Sequence, residues 1–245
     1  MTPKTIHPYH QTQINTNSAS SYIAQRYDVI VNANQGDVAT DFWMRFIPQS
    51  SCSANEMASN IRGIIHYGSS TGTPSTTPYD YIDDCEDLSF SSLVPHVRKT
   101  VPSAHLYEEK EIIGIATPNN LFRWTVNSST LQVQWGDPTV LQIANNDTTF
   151  DTNQNLIRLD EANEWAYIII ETTLAVAHPI HLHGHDFFIL AQGMGRYSQD
   201  TVLQLDNPTR RDVAMLPGNG HLVLAWETDN PGAWLVHCHI GWHTV

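Results

Sequence analysis

The sequence predicts an all-β protein built from sandwich or barrel domains, and three features lead there. Short runs rich in β-branched and aromatic residues recur along the chain, a composition that suits a pleated, half-buried surface. Turn-forming sequences such as Pro217-Gly-Asn-Gly and Asn230-Pro-Gly separate them, supplying backbone conformations that end strands. No long window keeps an apolar period near 3.6 residues, and long Ala/Glu/Lys/Leu runs are missing.

In chain order, Tyr27-Asp-Val-Ile-Val, Phe42-Trp-Met-Arg-Phe-Ile and Gly63-Ile-Ile-His-Tyr read as strands. The Gly/Ser/Thr/Pro stretch from Gly68 to Pro78 reads as loop or linker. The acidic Asp83-Asp-Cys-Glu-Asp leads to Leu93-Val-Pro-His, where a boundary divides residues 1–95 from 96–245. Beyond it, strands are expected at Glu111–Ile115, Leu121–Val126, Leu131–Trp135, Trp165–Thr172, Phe187–Ala191, His221–Trp226 and Trp234–His239. Such spacing fits a β-sandwich or barrel.

The chain's 245 residues allow one large or two smaller β-domains, and 41% hydrophobic against 15% charged residues make it globular. A formal charge of −13 leaves no basic stripe to meet phosphate, which excludes a nucleic-acid partner. No apolar run approaches the roughly 20 residues that cross a bilayer. The segment Met1-Thr-Pro-Lys-Thr-Ile-His-Pro-Tyr-His lacks an apolar core and is not a signal peptide. Yet Asn127-Ser-Ser and Asn146-Asp-Thr are glycosylation sequons. A secreted body without a secretion signal is expected to have lost its front.

Seven of the 13 histidines fall in two segments, His178-Pro-Ile-His-Leu-His-Gly-His-Asp186 and His237-Cys-His-Ile-Gly-Trp-His243. The other six (His7, His10, His66, His96, His105, His221) are scattered and read as surface or hydrogen-bonded core residues. Side chains alternate faces along a strand, so His181 and His183 share one face and His178 lies on the other. His237 and His239 share a face, and Cys238 points the opposite way. Laid side by side, the segments offer two metal sites back to back. His178, Cys238 and His243 are the two imidazoles and one thiolate of a blue-copper electron-transfer centre. His181, His183, His237 and His239 form an all-imidazole set suited to copper that meets oxygen.

These two segments resemble the C-terminal copper motifs of the multicopper oxidases. Gln25-Arg-Tyr-Asp-Val-Ile-Val, Asn207-Pro-Thr-Arg-Arg-Asp-Val and Asp229-Asn-Pro-Gly-Ala-Trp-Leu-Val are similar to segments of ascomycete fungal laccases. The resemblance covers essentially the whole chain. It implies cupredoxin-like Greek-key domains: part of a second domain over 1–95 and most of a third over 96–245. It implies type 1 copper on His178, Cys238 and His243, type 2 copper on His181, and the type 3 pair on His183, His237 and His239. His243 would admit electrons, and Cys238 would pass them through His237 and His239. The implied activity is laccase-type, benzenediol:oxygen oxidoreductase: phenolic or other small aromatic donors lose single electrons while dioxygen becomes water. The complete protein would be a secreted, monomeric glycoprotein. The Cys52–Cys85 spacing looks like the family's second-domain disulfide, and that bridge would be worth roughly 3–4 kcal/mol in the chain-entropy model.

Two departures from the family shape the expectation. Its oxygen-reducing cluster takes eight histidines, and no His-x-His motif precedes His181 here. The residue axial to the type 1 copper would also lie beyond Val245. The isolated chain is therefore expected to be a C-terminal fragment without turnover. Alternatives are a blue-copper electron-transfer module and an inert truncated product; a zinc hydrolase is disfavoured because the His185-Asp186 order is reversed and Cys238 has no counterpart there. His185 and Asp186 read either as residues that orient ligands by hydrogen bonds or as plainly structural ones. Arg210, Arg211 and Asp212 read as an ion-pair brace, and Trp234 and Trp242 as core aromatics around the copper loop. Met194 and Met215 have no reason to reach a metal.

Overall fold

The computed structural model describes residues 20–28, 30–50, 61–78, 80–83 and 87–243, which divide into two compact units. The smaller, within residues 26–88, holds strands β1 (Asp41–Arg45) and β2 (Arg62–His66), paired antiparallel with Trp43 opposite Ile64. Trp43 is fixed at both ends. Its indole N–H donates to the Pro74 carbonyl at 3.1 Å, and the Arg62 guanidinium lies 3.8 Å from its ring centroid. Cys52 and Cys85 lie outside the described residues, as do His7 and His10.

The larger unit takes in Tyr22–Gln25 and the chain from Ser89 on and is a β-sandwich. Its strands are β3 (Tyr107–Ala116), β4 (Arg123–Val126), β5 (Trp165–Thr172), β6 (His178–Leu182), β7 (Phe187–Met194), β8 (Arg210–Arg211), β9 (Val213–Leu216), β10 (Gly220–Glu227) and β11 (Val236–Cys238). One sheet runs β4-β3-β5-β10-β7-β8 and the other β11-β6-β9. β5, Trp-Ala-Tyr-Ile-Ile-Ile-Glu-Thr, is buried along nearly its whole length, as an apolar run covered on both faces must be. It pairs antiparallel with β10 and parallel with β3. Parallel neighbours need a long crossover, and residues 117–164 supply it.

Alternation along β5 splits its side chains between two cores. Ile168 and Ile170 meet Ile180 and Leu182 of β6, Ala214 and Leu216 of β9, and Leu222 and Leu224 of β10. Tyr167 and Ile169 face away, against Val101, Phe188, Leu190 and Val223. Each fully buried Leu, Ile or Phe contributes about 1.5–3 kcal/mol through water exclusion.

All-β holds. Individual elements differ from expectation. Tyr27-Asp-Val-Ile-Val and Leu131–Trp135 form no strand among the described residues. Leu131, Val133 and Trp135 are exposed with no ladder partner, and residue preference alone cannot make a strand. A short helix α1 (Thr139–Ala144) follows, too brief to leave a periodic signal. Trp234 and Leu235 precede β11 rather than belonging to it.

Candidate metal centres

β11 pairs antiparallel with β6, placing His237 opposite His181 and Cys238 opposite Ile180. Cross-strand partners share a face, so Cys238 points with Ile180 toward the sandwich core, which it partly joins. His178, two residues before Ile180, lies on the same face at 0% exposure. A 3-10 turn over Gly241–His243 brings the third group back. His243 Nδ1 lies 3.1 Å from His178 Nδ1 and 3.3 Å from Cys238 Sγ, and the donor atoms of all three residues fall within 4.8 Å of one another. His178 Nε2 is buried without a hydrogen-bond partner among the described residues.

Burial pushes the Cys238 thiol up to about 11, against the opposing pull of the Ile240 backbone N–H. Burial, and next the nearby His243, lowers His178 to about 4; burial also lowers His243. At neutral pH the group is one thiol and two neutral imidazoles. A bound metal ion must displace the thiol proton.

Trp124 of β4 closes this group, a residue that sequence reading did not single out. Its ring lies 3.7 Å from that of His243 and meets His178 edge-on at 5.6 Å. Its indole N–H donates to the Trp242 carbonyl at 3.0 Å, holding the turn that carries His243. Phe122-Arg-Trp124, two aromatics at strand spacing, was the available signal.

On the opposite face His181 and His237 stand side by side, and His183 follows the end of β6. The His183 backbone N–H donates to the Leu235 carbonyl at 2.9 Å. The Asp212 carbonyl, 2.7 Å from His181 Nδ1, fixes a proton there and leaves Nε2 as the free donor. The Cys238 carbonyl does the same for His237 at 2.8 Å. His183 Nε2 and His237 Nε2 face each other at 3.0 Å, and the donor atoms of His181, His183 and His237 lie within 4.8 Å. His239 stands outside that group, its ring 5.5 Å from His237 and 5.8 Å from His181. Burial and then neighbouring imidazoles lower His183; for His237 burial is also the main cause.

Around the loop, Asp186 pairs with Arg210. Gly184 has φ +68°, and a Cβ there would land inside the Trp234 indole, so the turn between His183 and His185 needs glycine twice over. The two tryptophans correct the expectation. Trp242 is 83% exposed, and Trp234 is exposed beside His185, with its N–H on the Asn230 carbonyl. Neither is a core residue: Trp124 packs on the His243 ring, and Trp234 covers Gly184. Met194 is exposed at a strand end, and Met215 pairs with Pro179 on the face away from Cys238. Of the remaining histidines, His66 bonds Asp41 at 2.6 Å, His105 stacks on Tyr167, His221 faces the Gly195 carbonyl and His96 is exposed.

The sequence profile described as "Multicopper oxidase" matches residues 119–245. Laccase-2 of Botryotinia fuckeliana is 44% identical over 230 residues, covering 90% of this chain and 39% of that protein. Oxidoreductase OpS5 of Beauveria bassiana is 42% identical, covering 98% and 41%. The crystal structure of laccase from Botrytis aclada superposes with a TM-score of 0.73 at 43% identity, over 83% of this chain and 38% of that one. Fet3p, a multicopper oxidase, gives a TM-score of 0.62 at 23% identity, a likeness of fold. The chain spans about two-fifths of the length of these curated relatives.

Proposed function

The chain belongs to the multicopper oxidase family, and from that premise we propose that it gives a laccase-type oxidase its electron-accepting copper site and one wall of its oxygen-reducing cluster. The observation that carries the reading is the build of β11. Cys238 points to one donor group and His237 to the other, and the Cys238 carbonyl accepts the hydrogen bond that orients the His237 ring. One residue step and one hydrogen bond join the two groups.

The donor chemistry fits copper. One thiol and two imidazoles converge at the first group, the set that binds blue copper, and imidazoles alone line the second. His178, Cys238 and His243 would hold the first ion; His181, His183 and His237, with His239 beside them, would hold part of the second set. Copper so bound supplies one-electron chemistry, by which four electrons and four protons convert dioxygen to two waters. Trp124 and the core seal the first group from water on the inner side. Exposed Phe122 and Trp242 flank the outer side, forming aromatic walls that suit a flat phenolic donor. Both sequon asparagines are exposed, in keeping with a secreted glycoprotein. The donor-group assignment makes His243 the point where electrons arrive.

Copper loading of this chain, followed by visible absorption and oxygen uptake with a phenol, tests the reading. An intense thiolate-to-copper band is expected, without sustained oxygen uptake until the remaining imidazoles of the cluster are supplied. A copper-loaded chain with no such band sinks the assignment. Turnover by this chain at the rate of a longer laccase refutes the shared-cluster arrangement.

A further inference from the structure

Behind the loop that carries His183 lies a cavity of about 280 Å³, lined among others by Gly184, His185, Asp186, Arg210, Glu227 and Asp229. Its charges are unevenly settled. Asp186 pairs with Arg210 and Glu227 with Lys99, which leaves Asp229 facing His185. The His185 side chain is only 7% exposed, and its Nε2 has no hydrogen-bond partner among the described residues. The Asp229 carboxylate oxygen is 4.0 Å from it, too far for a hydrogen bond near 2.9 Å. Nδ1, on the other side of the ring, lies 3.4 Å from the His183 carbonyl. A proton on Nδ1 turns the Nε2 lone pair toward the cavity. Two electron-rich atoms, one deeply buried, then face each other across a 4.0 Å gap.

We propose that this cavity binds a divalent first-row cation such as zinc, with His185 Nε2 and Asp229 Oδ1 as its protein ligands and water completing the shell. Zinc bonds of about 2.0–2.1 Å to nitrogen and about 2.0–2.2 Å to oxygen together span the observed gap. The Asp229 side chain, 59% exposed, can swing inward and close that near-linear angle toward tetrahedral. The backbone carbonyl behind Nδ1 supplies the orienting bond that metal-bound histidines use. Mixed imidazole and carboxylate ligation suits zinc and copper. The proposal stands apart from the copper reading, since neither residue belongs to either donor group.

The test adds zinc to the copper-loaded protein, counts bound metal, and locates it by anomalous diffraction at the zinc edge. One further equivalent is expected, with a peak about 2.0–2.2 Å from both atoms. Asp229→Ala, at an exposed position, should weaken that equivalent at least about tenfold while leaving the melting temperature and the visible band unchanged. His185→Gln should weaken that equivalent by at least as much. Zinc peaks confined to the other histidines overturn the proposal, as does a water in the gap with zinc present or an unchanged affinity in Asp229→Ala.

Discussion

At the thiolate group His178 is fully buried and Cys238 packs toward the sandwich core, whereas one strand face away His183 reaches solvent and three imidazoles line an open wall. The same two strands, β6 and β11, build both. What separates them is residue parity: even-numbered positions face the core and odd-numbered ones face out. The buried group is packed on its inner side by the core and Trp124, which on the proposed reading would hold its donor geometry through a change of oxidation state. The open group keeps a side free for a small reactant and for further ligands. On the proposed reading, a single peptide step would divide two tasks, storing an electron and admitting a molecule.

The sharpest way to break the comparison is Cys238→Ser. If the groups are distinct, it abolishes the visible thiolate band outright and leaves metal binding by His181, His183 and His237 within about twofold. Loss of both would show that the two faces are one site. The reverse substitution, His181→Ala, should lower metal affinity at the imidazole group by more than the 10–100-fold typical of supporting residues. The band should persist, because His181 points away from Cys238. Bleaching as complete as in Cys238→Ser would mean that the assignment by faces is mistaken.

Gly184→Ala probes the hinge of the open group. The left-handed backbone costs a residue with a Cβ about 1–2 kcal/mol, and overlap with the Trp234 indole adds about 1–3 kcal/mol. A loss of roughly 2–5 kcal/mol in denaturant unfolding is expected, with His183 displaced and the thiolate band intact. A neutral effect would show that the loop relaxes freely and that Trp234 does not fix it.

Much of this was readable because alternation is a local property. His178-Pro-Ile-His-Leu-His carries its own parity, and β5, β7 and β10 announce themselves through unbroken apolar runs. What escaped depends on partners distant in sequence. β9, Val213–Leu216, is a strand because β6 lies beside it, whereas Leu131–Trp135 has a backbone hydrogen bond from Gln132 to Asn153 but no ladder. Trp124 reaches His243 across 119 positions only once β4 joins the sheet edge. His239 shares the parity of His237 yet sits outside the tight group, since β11 ends at Cys238 and regular alternation ends with it.

The smallest expected effect serves as a control on the far side of the larger sheet. Tyr167 belongs to the second core, away from both donor groups, and its hydroxyl donates to the Pro102 carbonyl at 2.5 Å. Burial, then the charges of Glu108 and Tyr197, pushes the phenol from 10.0 up to about 12. The folded state therefore holds the proton more tightly than the unfolded one. Its contribution is fully present below pH 10 and is lost as pH rises toward about 12. Unfolding midpoints should fall across that window in the parent chain. In Tyr167→Phe they should fall less steeply, from a start lowered by about 1 kcal/mol for the missing hydrogen bond. The thiolate band should be indifferent to the substitution, because the β5 backbone separates Tyr167 from the core that Cys238 joins. A shifted band in Tyr167→Phe would mean that the two cores are mechanically coupled, and the sealed group would then owe its geometry to the whole sandwich rather than to β6, β11 and Trp124.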